Sequence, residues 1–207
     1  MRTLLNVATG QDVASRFKRT RSEFIEEVSG EHFDVNSLPS VIATKQHLLR
    51  YCGQKNNAGE DLYQGICIAG HGNPGIVYDK NGNGLFSNNY DQQELVTVVS
   101  QRAIYLFACQ TAEDEFVSRI MNSGCTLFIG FTQSPRWVTT DGARLWSELD
   151  ISIIRSIGFD LGKAGIESVV QEFLQRTSNQ VGRYSDAFDL DLTSIQQALH
   201  SLVVLSN

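Results

Sequence analysis

The sequence predicts an α/β fold with a mostly parallel central sheet and helices on both faces. Short, mostly apolar runs, such as residues 63–69 and 103–108, are typical of strands buried on both faces of a parallel sheet. Longer segments with apolar residues at helical spacing separate these runs. Because the two kinds of segment alternate along the chain, the pattern favours the α/β class.

The first sixty residues predict the order strand, helix, strand, helix. Asp12 can cap the first helix, and Ser37-Leu-Pro39 can open the second. The predicted elements are a strand at 2–8, a helix at 12–28, a short extended piece at 32–35, a helix at 37–52 and a polar loop at 54–60. This part therefore supplies the first layers of the predicted fold.

Two of the predicted buried strands end in residues that can carry chemistry. The strand at 63–69 runs into Gly70-His-Gly-Asn-Pro-Gly75, a turn that continues neither a strand nor a helix. The strand at 103–108 runs into Cys109, which lies 38 residues after His71. Ligands collect at the carboxyl edge of open α/β sheets, so we expect His71 and Cys109 to face each other there.

A helix at 113–123, capped by Thr111 or Asp114, is predicted to follow Cys109. The positive field of its N-terminus would favour the thiolate form of a nearby cysteine. An imidazole at His71 can take the thiol proton and return it to a leaving amine. The amides of Gly72 and Cys109 are the candidate donors to an oxyanion.

The other three cysteines predict no further chemistry. Cys67 lies inside its strand and Cys125 begins one, so both are expected to fill the core as small hydrophobic residues. Cys52, Cys67, Cys109 and Cys125 show no CxxC pairing and no metal-ligand spacing with the histidines. We therefore expect no disulfide, no metal site and no cofactor.

The segment after His71 predicts a tight hairpin. Asn-Gly steps within residues 79–84 separate apolar pieces at 75–78 and 84–86. The same six residues match the start of an EF-hand calcium loop, but its twelfth position holds Tyr90 instead of a glutamate. The turn is the favoured interpretation.

The remainder of the chain predicts further strands and helices around one ligand-contacting loop. That loop, residues 131–138, offers Gln133, Ser134, Arg136 and Trp137 as candidate substrate contacts. The predicted elements are a helix at 92–100 capped by Asn89 or Asp91, a strand at 124–130, a long helix capped by Thr140 or Asp141, a break at 158–162, a helix at 164–175, an irregular tail at 181–191 and a helix or helix and strand at 195–205.

Composition and charge exclude several classes of protein. The hydrophobic content of 42% and the charged content of 19% are ordinary for a globular chain, and 207 residues suffice for one domain. The net charge is −6, and the basic cluster at 16–21 is followed by glutamates, so we expect a solvated helix face and no nucleic-acid binding. The sequence shows neither a secretory signal nor a membrane-spanning stretch, so a cytoplasmic protein without a membrane partner is expected.

At the two strand ends the sequence resembles a known superfamily. Ala69-Gly-His-Gly72 and Leu106-Phe-Ala-Cys-Gln-Thr111 are similar to the His-Gly and Ala-Cys signatures of the caspase-like cysteine peptidases. The CHAT and separase branch is the closest in appearance. Trp137-Val-Thr-Thr-Asp141 resembles a Trp-x-Val-x-Asp-like segment of that branch, one residue out of register. The resemblance covers roughly residues 61–175.

This resemblance implies a three-layer caspase-like fold and a cysteine endopeptidase that cleaves a protein partner through a thioester. It implies a catalytic dyad of His71 and Cys109 without a third member, and an oxyanion hole formed by the Gly72 and Cys109 amides. One domain at 1–207 would then comprise an N-terminal βαβα part at 1–60, a catalytic core at 61–176 and a C-terminal tail and helix at 177–207. CHAT proteins further suggest a bacterial, defence-type effector switched on by a protein partner.

Departures from the family patterns leave the preferred substrate side chain open. Caspases carry a glycine two residues after the cysteine, where this chain has Thr111. Metacaspases carry an acidic residue two before it, where this chain has Phe107, which remains a pocket candidate. Asp141, Glu148 and Asp150 can line a pocket for a basic side chain, or serve as helix caps and surface charges.

Two other functions are alternatives. A catalytically silent module on the same fold would use the sheet edge as a binding groove, with Cys109 merely filling space. A nucleotide-binding domain would need a glycine-rich loop that opens a helix, and neither 70–75 nor 81–84 precedes one. The peptidase is the leading hypothesis.

Overall fold

A six-stranded sheet organises the structure, a computed structural model that describes residues 1–9, 21, 23–24, 27, 32–136, 139–182 and 185–207. The strands are β1 (Arg2–Ala8), β2 (Phe33–Leu38), β3 (Gly65–Ala69), β4 (Gly72–Asn73), β5 (Ile76–Tyr78), β6 (Gly84–Ser87), β7 (Ala103–Phe107), β8 (Leu127–Phe131) and β9 (Leu202–Ser206). The helices with described bounds are α1 (Lys45–Cys52), α2 (Gln92–Val99), α3 (Asp114–Asn122), α4 (Thr140–Gly158), α5 (Gly162–Ser178) and α6 (Asp186–His200).

The main sheet is mostly parallel, which confirms the predicted α/β class. Its strands lie in the order β2-β1-β3-β7-β8-β9, and only β9 runs antiparallel to its neighbour among these described strands. Strands β4, β5 and β6 form a separate small antiparallel sheet. The parallel arrangement places the ends of β3 and β7 side by side.

Two apolar clusters flank the main sheet because its central strands are apolar on both faces. Tyr105 and Phe107 of β7 belong to the cluster that α4, α5 and α6 complete. Ile104 and Leu106, which alternate with them, belong to the cluster that α1, α2 and α3 complete. The continuous apolar run therefore has a partner on each side.

Polar side chains cap the N-termini of two helices, α2 and α4. Asp91 caps α2 and forms a capping box with Glu94, as one of the two predicted caps. Thr139 caps α4, one residue before the predicted alternatives Thr140 and Asp141, and its hydroxyl accepts from the Gly142 amide. The buried carboxylate of Asp191 accepts in turn from the Thr139 amide at 2.8 Å.

Three predicted element boundaries were wrong. Residues 37–38 belong to β2, which pairs with β1 up to Leu38, so α1 begins only at Lys45 after its Thr44 cap. Strand β8 covers Leu127–Phe131 where 124–130 was expected. The tail predicted to be irregular at 181–191 contains the start of α6, and the predicted helix and strand after it are α6 and β9.

The predicted helix at 12–28 lies largely outside the described residues, as do most of the basic cluster at 16–21 and residue Trp137. Within that segment Arg21, Glu23, Phe24 and Glu27 are helical. Arg21 is buried, so the expectation of a solvated face was wrong for this residue. Its guanidinium forms an ion pair with Asp150 at 3.3 Å.

The hairpin after β5 is a turn built on Asp79. Its Oδ1 accepts from the Asn81 amide at 2.8 Å and from the Asn83 amide at 2.9 Å. The Asp79 carboxylate is therefore hydrogen-bonded to backbone amides of its own turn, which is the pattern of an Asx turn. No helix in the described part of the chain combines the length and apolar character needed to cross a membrane.

Candidate active site

The ends of β3 and β7 bring His71 and Cys109 to one edge of the sheet. Gly65 pairs with Ala103 and Ala69 with Phe107, so each β7 residue lies 38 positions after its β3 partner. The Gly70 amide continues this pairing by donating to the Phe107 carbonyl at 3.2 Å. His71 and Cys109 have the same separation, and both follow at the carboxyl edge of these neighbouring strands.

The turns that carry the two residues touch each other. A Cβ atom placed on Gly72 would lie 2.6 Å from the Cys109 carbonyl oxygen and 3.1 Å from its amide nitrogen. It would also lie 3.0 Å from the Ala108 Cβ. Only a glycine fits this approach without displacing the backbone.

Two backbone amides of these touching turns are open. The His71 carbonyl accepts from the Tyr78 amide at 3.0 Å, so the alternation of the antiparallel ladder points the Gly72 amide away from β5. The next parallel bond, from the Cys109 amide to the Gly70 carbonyl, is not formed among the described residues. The amides predicted to bind an oxyanion are therefore both available for a ligand.

The catalytic candidates differ in exposure. The His71 side chain is exposed, and Cys109 is half-buried. In the described part of the chain no hydrogen bond joins the imidazole to the thiol. Hydrogen bonds between catalytic groups are often long or absent without substrate, so the arrangement still permits a dyad.

Cys109 is the accessible thiol of the chain. Cys52, Cys67 and Cys125 are buried and, like Cys109, free of disulfides. Burial raises the pKa of each of the three to about 12. They are neutral, enclosed thiols at neutral pH, whereas Cys109 can meet a ligand.

The helix after Cys109 begins later than predicted. Glu113 caps α3, and its carboxylate accepts from the Phe116 amide at 3.3 Å, so neither Thr111 nor Asp114 is the cap. Cys109 therefore precedes both this cap and the first turn of α3. Gln110 instead reverses the chain in the left-handed region, at φ 53°.

A polar pocket adjoins this turn. We call it the Gln110 pocket; its volume is about 280 Å³. The predicted contacts Gln133, Ser134 and Arg136 line it together with Gln110, Ser194, Gln197 and Ala198. The last three residues belong to α6 and were missed because their approach to the loop after β8 depends on packing between segments that are distant in sequence.

The other predicted contacts lie elsewhere. Phe107 is buried against Phe131 and Trp146, so it forms the core beneath the edge. Asp141 lines a separate cavity of about 350 Å³ with Glu148. Asp150 is fully buried beside Arg21 and cannot line a substrate pocket.

Neither a scan against protein-family models nor a search of curated proteins finds a match to this chain. Among the described residues no group of three or more histidine, cysteine or acidic side chains can hold a metal ion. The Asp79 turn therefore belongs to no such metal-binding cluster.

Proposed function

We propose that the chain is a cysteine endopeptidase in which Cys109 is the nucleophile and His71 the general base and acid. The observation that carries the proposal is the contact between Gly72 and the Cys109 peptide, which brings the two turns together at one edge of the sheet. An accessible thiol, an exposed imidazole and two open amides on these adjoining turns support it. These are the groups that acyl transfer to a thiol requires.

The proposed reaction has two halves. His71 takes the Cys109 thiol proton as sulfur attacks the peptide carbonyl carbon, and the Gly72 and Cys109 amides donate to the resulting oxyanion. The C–N bond breaks as the imidazolium gives its proton to the leaving amine, which leaves a thioester on Cys109. His71 then deprotonates a water that attacks the thioester, and the thiolate departs from a new carboxylic acid.

We also propose the three-layer caspase-like arrangement as the architecture behind this site. The mostly parallel sheet, its two flanking apolar clusters and the placement of His71 and Cys109 after adjacent strands support it. Control of the site by a protein partner, as in bacterial defence effectors, belongs to the same proposal and rests on the sequence resemblance alone.

The test is cleavage of a peptide library derived from a whole proteome, read by mass spectrometry of new N-termini. Wild type is expected to cut a defined set of peptides, and both Cys109→Ala and His71→Ala are expected to cut none. Cys52→Ala, which alters a buried thiol, should retain the cleavage pattern.

A parallel assay in cell extract supplies a possible activating protein. Absence of wild-type cleavage in both assays, together with unchanged capture of the same partner by Cys109→Ala, would establish a binding module and overturn the peptidase.

A further inference from the structure

We propose that the hairpin turn after β5 contains a modification site, at which Asn81 deamidates spontaneously while the folded chain protects Asn83. The proposal rests on the difference between two Asn-Gly steps within one turn. It is independent of the proposed peptidase, because the reaction needs only water and the residues of the turn.

The chemistry follows from an asparagine that precedes glycine. The deprotonated Gly82 nitrogen attacks the carbonyl carbon of the Asn81 side chain, and the bond from that carbon to the side-chain nitrogen breaks. Ammonia leaves, and a five-membered succinimide remains. Water then opens one of the two ring carbonyls, which gives aspartate or isoaspartate. Glycine favours this attack because it has no Cβ to obstruct it.

The two Asn-Gly steps are equivalent in sequence. They are Asn81-Gly82 and Asn83-Gly84, and the sequence contains no other. The exposed asparagines at 57, 88 and 89 precede alanine, asparagine and tyrosine, whose Cβ atoms hinder the attack. The sequence alone therefore predicts two reactive sites of equal rank.

Asn81 and Gly82 form the open part of the turn. Both residues are exposed, and a Cβ placed on Gly82 would meet nothing within 4 Å beyond its chain neighbours. No hydrogen bond engages the Asn81 side chain in the described part of the chain. The Gly82 amide donates to the Asp79 carbonyl at 3.1 Å, and this exposed bond has to open before the ring can close.

Asp79 holds Asn83 at three atoms. The Asn83 amide donates to Asp79 Oδ1 at 2.9 Å, and its side-chain Nδ2 donates to Oδ2 at 3.5 Å. The Asn83 carbonyl accepts from the Asp79 amide at 2.7 Å. Because this carbonyl shares a rigid peptide plane with the Gly84 nitrogen, the bond also fixes the nucleophile of the second step.

The small sheet restrains the second step further. Gly84 is the first residue of β6 and pairs with Tyr78 of β5. Ring closure at Asn83 therefore requires the side chain to leave Asp79 and the start of β6 to separate from β5. The structure thus distinguishes two sites that the sequence does not.

Deamidation changes both the charge and the backbone of the turn. Aspartate at position 81 adds a carboxylate close to the buried carboxylate of Asp79. Isoaspartate lengthens the main chain before Gly82 by one methylene group, which draws the Gly82 amide away from the Asp79 carbonyl. We therefore expect faster hydrogen exchange at the Gly82 amide in the isoaspartate form.

The experiment incubates the whole chain at pH 7.5, folded or in guanidinium chloride, and follows both steps by mass spectrometry of proteolytic peptides. Folded wild type should deamidate Asn81 faster than Asn83 by about tenfold or more, the order of the hydrogen bonds to a carboxylate that Asn83 has to break. In denaturant the two rates should converge. Cys109→Ala should show the wild-type rates, because no step uses the thiol.

Two variants test the cause of the selectivity. Asn81→Gln places its amide one carbon farther from the backbone, so modification at 81 should cease while Asn83 stays as slow as in wild type. Asp79→Ala removes the carboxylate that holds Asn83, so deamidation of Asn83 should approach the rate of Asn81. Asp114→Ala, which removes an exposed carboxylate on α3, is the matched control and should leave both rates unchanged.

Two outcomes would overturn the proposal. One is a folded chain in which Asn83 deamidates as fast as Asn81 or faster. The other is a folded chain that modifies neither asparagine although the denatured chain modifies both, since the Gly82 bond to Asp79 would then protect Asn81 as well. Should Asp79→Ala fail to fold, the folded and denatured wild type and Asn81→Gln decide the matter without it.

Discussion

Gly72 and Cys109 lie in backbone contact across two neighbouring strand ends, with no room for a methyl group between them. Gly72 is not in the left-handed region, so the restriction comes from this approach alone. The contact places Gly72 directly against the Cys109 peptide. It makes this glycine part of the catalytic geometry in our account.

Gly72→Ala should therefore impair both activity and stability. The added methyl forces the two turns apart, and we expect kcat to fall by about 100-fold or more as one oxyanion donor moves away. Overpacking should lower the free energy of unfolding by about 1–3 kcal/mol. Gly53→Ala is the control, because a Cβ there would lie 3.3 Å from its closest neighbour. Full activity of Gly72→Ala in kinetic assays would refute the role of this contact.

Removing one partner of the buried Arg21–Asp150 ion pair should lower the free energy of unfolding more than removing both partners. Both side chains are almost fully buried, and burial raises the pKa of Asp150. Arg21→Leu leaves a buried carboxylate without its partner, so we expect a loss of about 3–5 kcal/mol in urea unfolding. Arg21→Leu combined with Asp150→Leu should lose less than the single variant. Additive losses would contradict this coupling.

The buried thiols should make stability fall at alkaline pH. Burial raises the pKa of Cys67 from 9.0 to about 12, so the unfolded chain releases this proton at a lower pH than the folded chain. The stabilisation is complete below pH 9 and is lost as the pH rises toward 12, with a slope of at most about 1.4 kcal/mol per pH unit for each thiol. Urea unfolding of Cys67→Ala should show a shallower decline over this window. Parallel curves for wild type and variant would exclude the effect.

Arg102 should determine stability without affecting catalysis. Its buried guanidinium donates to the carbonyls of Cys52, Tyr63, Thr97 and Val98 at the amino end of β7, the end opposite Cys109. The compact ammonium in Arg102→Lys cannot span these four acceptors, so we expect a loss of about 2–4 kcal/mol. Urea unfolding measures this loss. The kcat/KM of the folded variant should match wild type, and a selective loss of activity would show that the effect reaches the site.

The sequence predicted the elements whose signals are local. Strands β3 and β7 are continuous apolar runs, and the Asn-Gly steps mark the hairpin after Tyr78. The parallel pairing of β3 with β7 then follows from the class of the fold. That is why the placement of His71 and Cys109 at strand ends could be anticipated.

The contacts that the sequence could not reveal join distant segments. Asp191 resembles a loop residue in sequence, yet it is buried and holds Thr139 at the start of α4. Arg21 resembles a surface charge, yet its partner Asp150 lies far along the chain. The α6 wall of the Gln110 pocket depends on the same long-range packing.

The most direct test of the central claim is the alkylation rate of Cys109 by a peptidyl electrophile at pH 7.5, followed by mass spectrometry of the intact protein and its peptides. Cys52, Cys67 and Cys125 are internal controls, and His200→Gln, which changes an exposed histidine on α6, is the control variant. We predict one modification, at Cys109, with a rate that falls by about 100-fold or more in His71→Gln, the lower end of the range for a general base. Equal rates in wild type and His71→Gln would contradict the dyad.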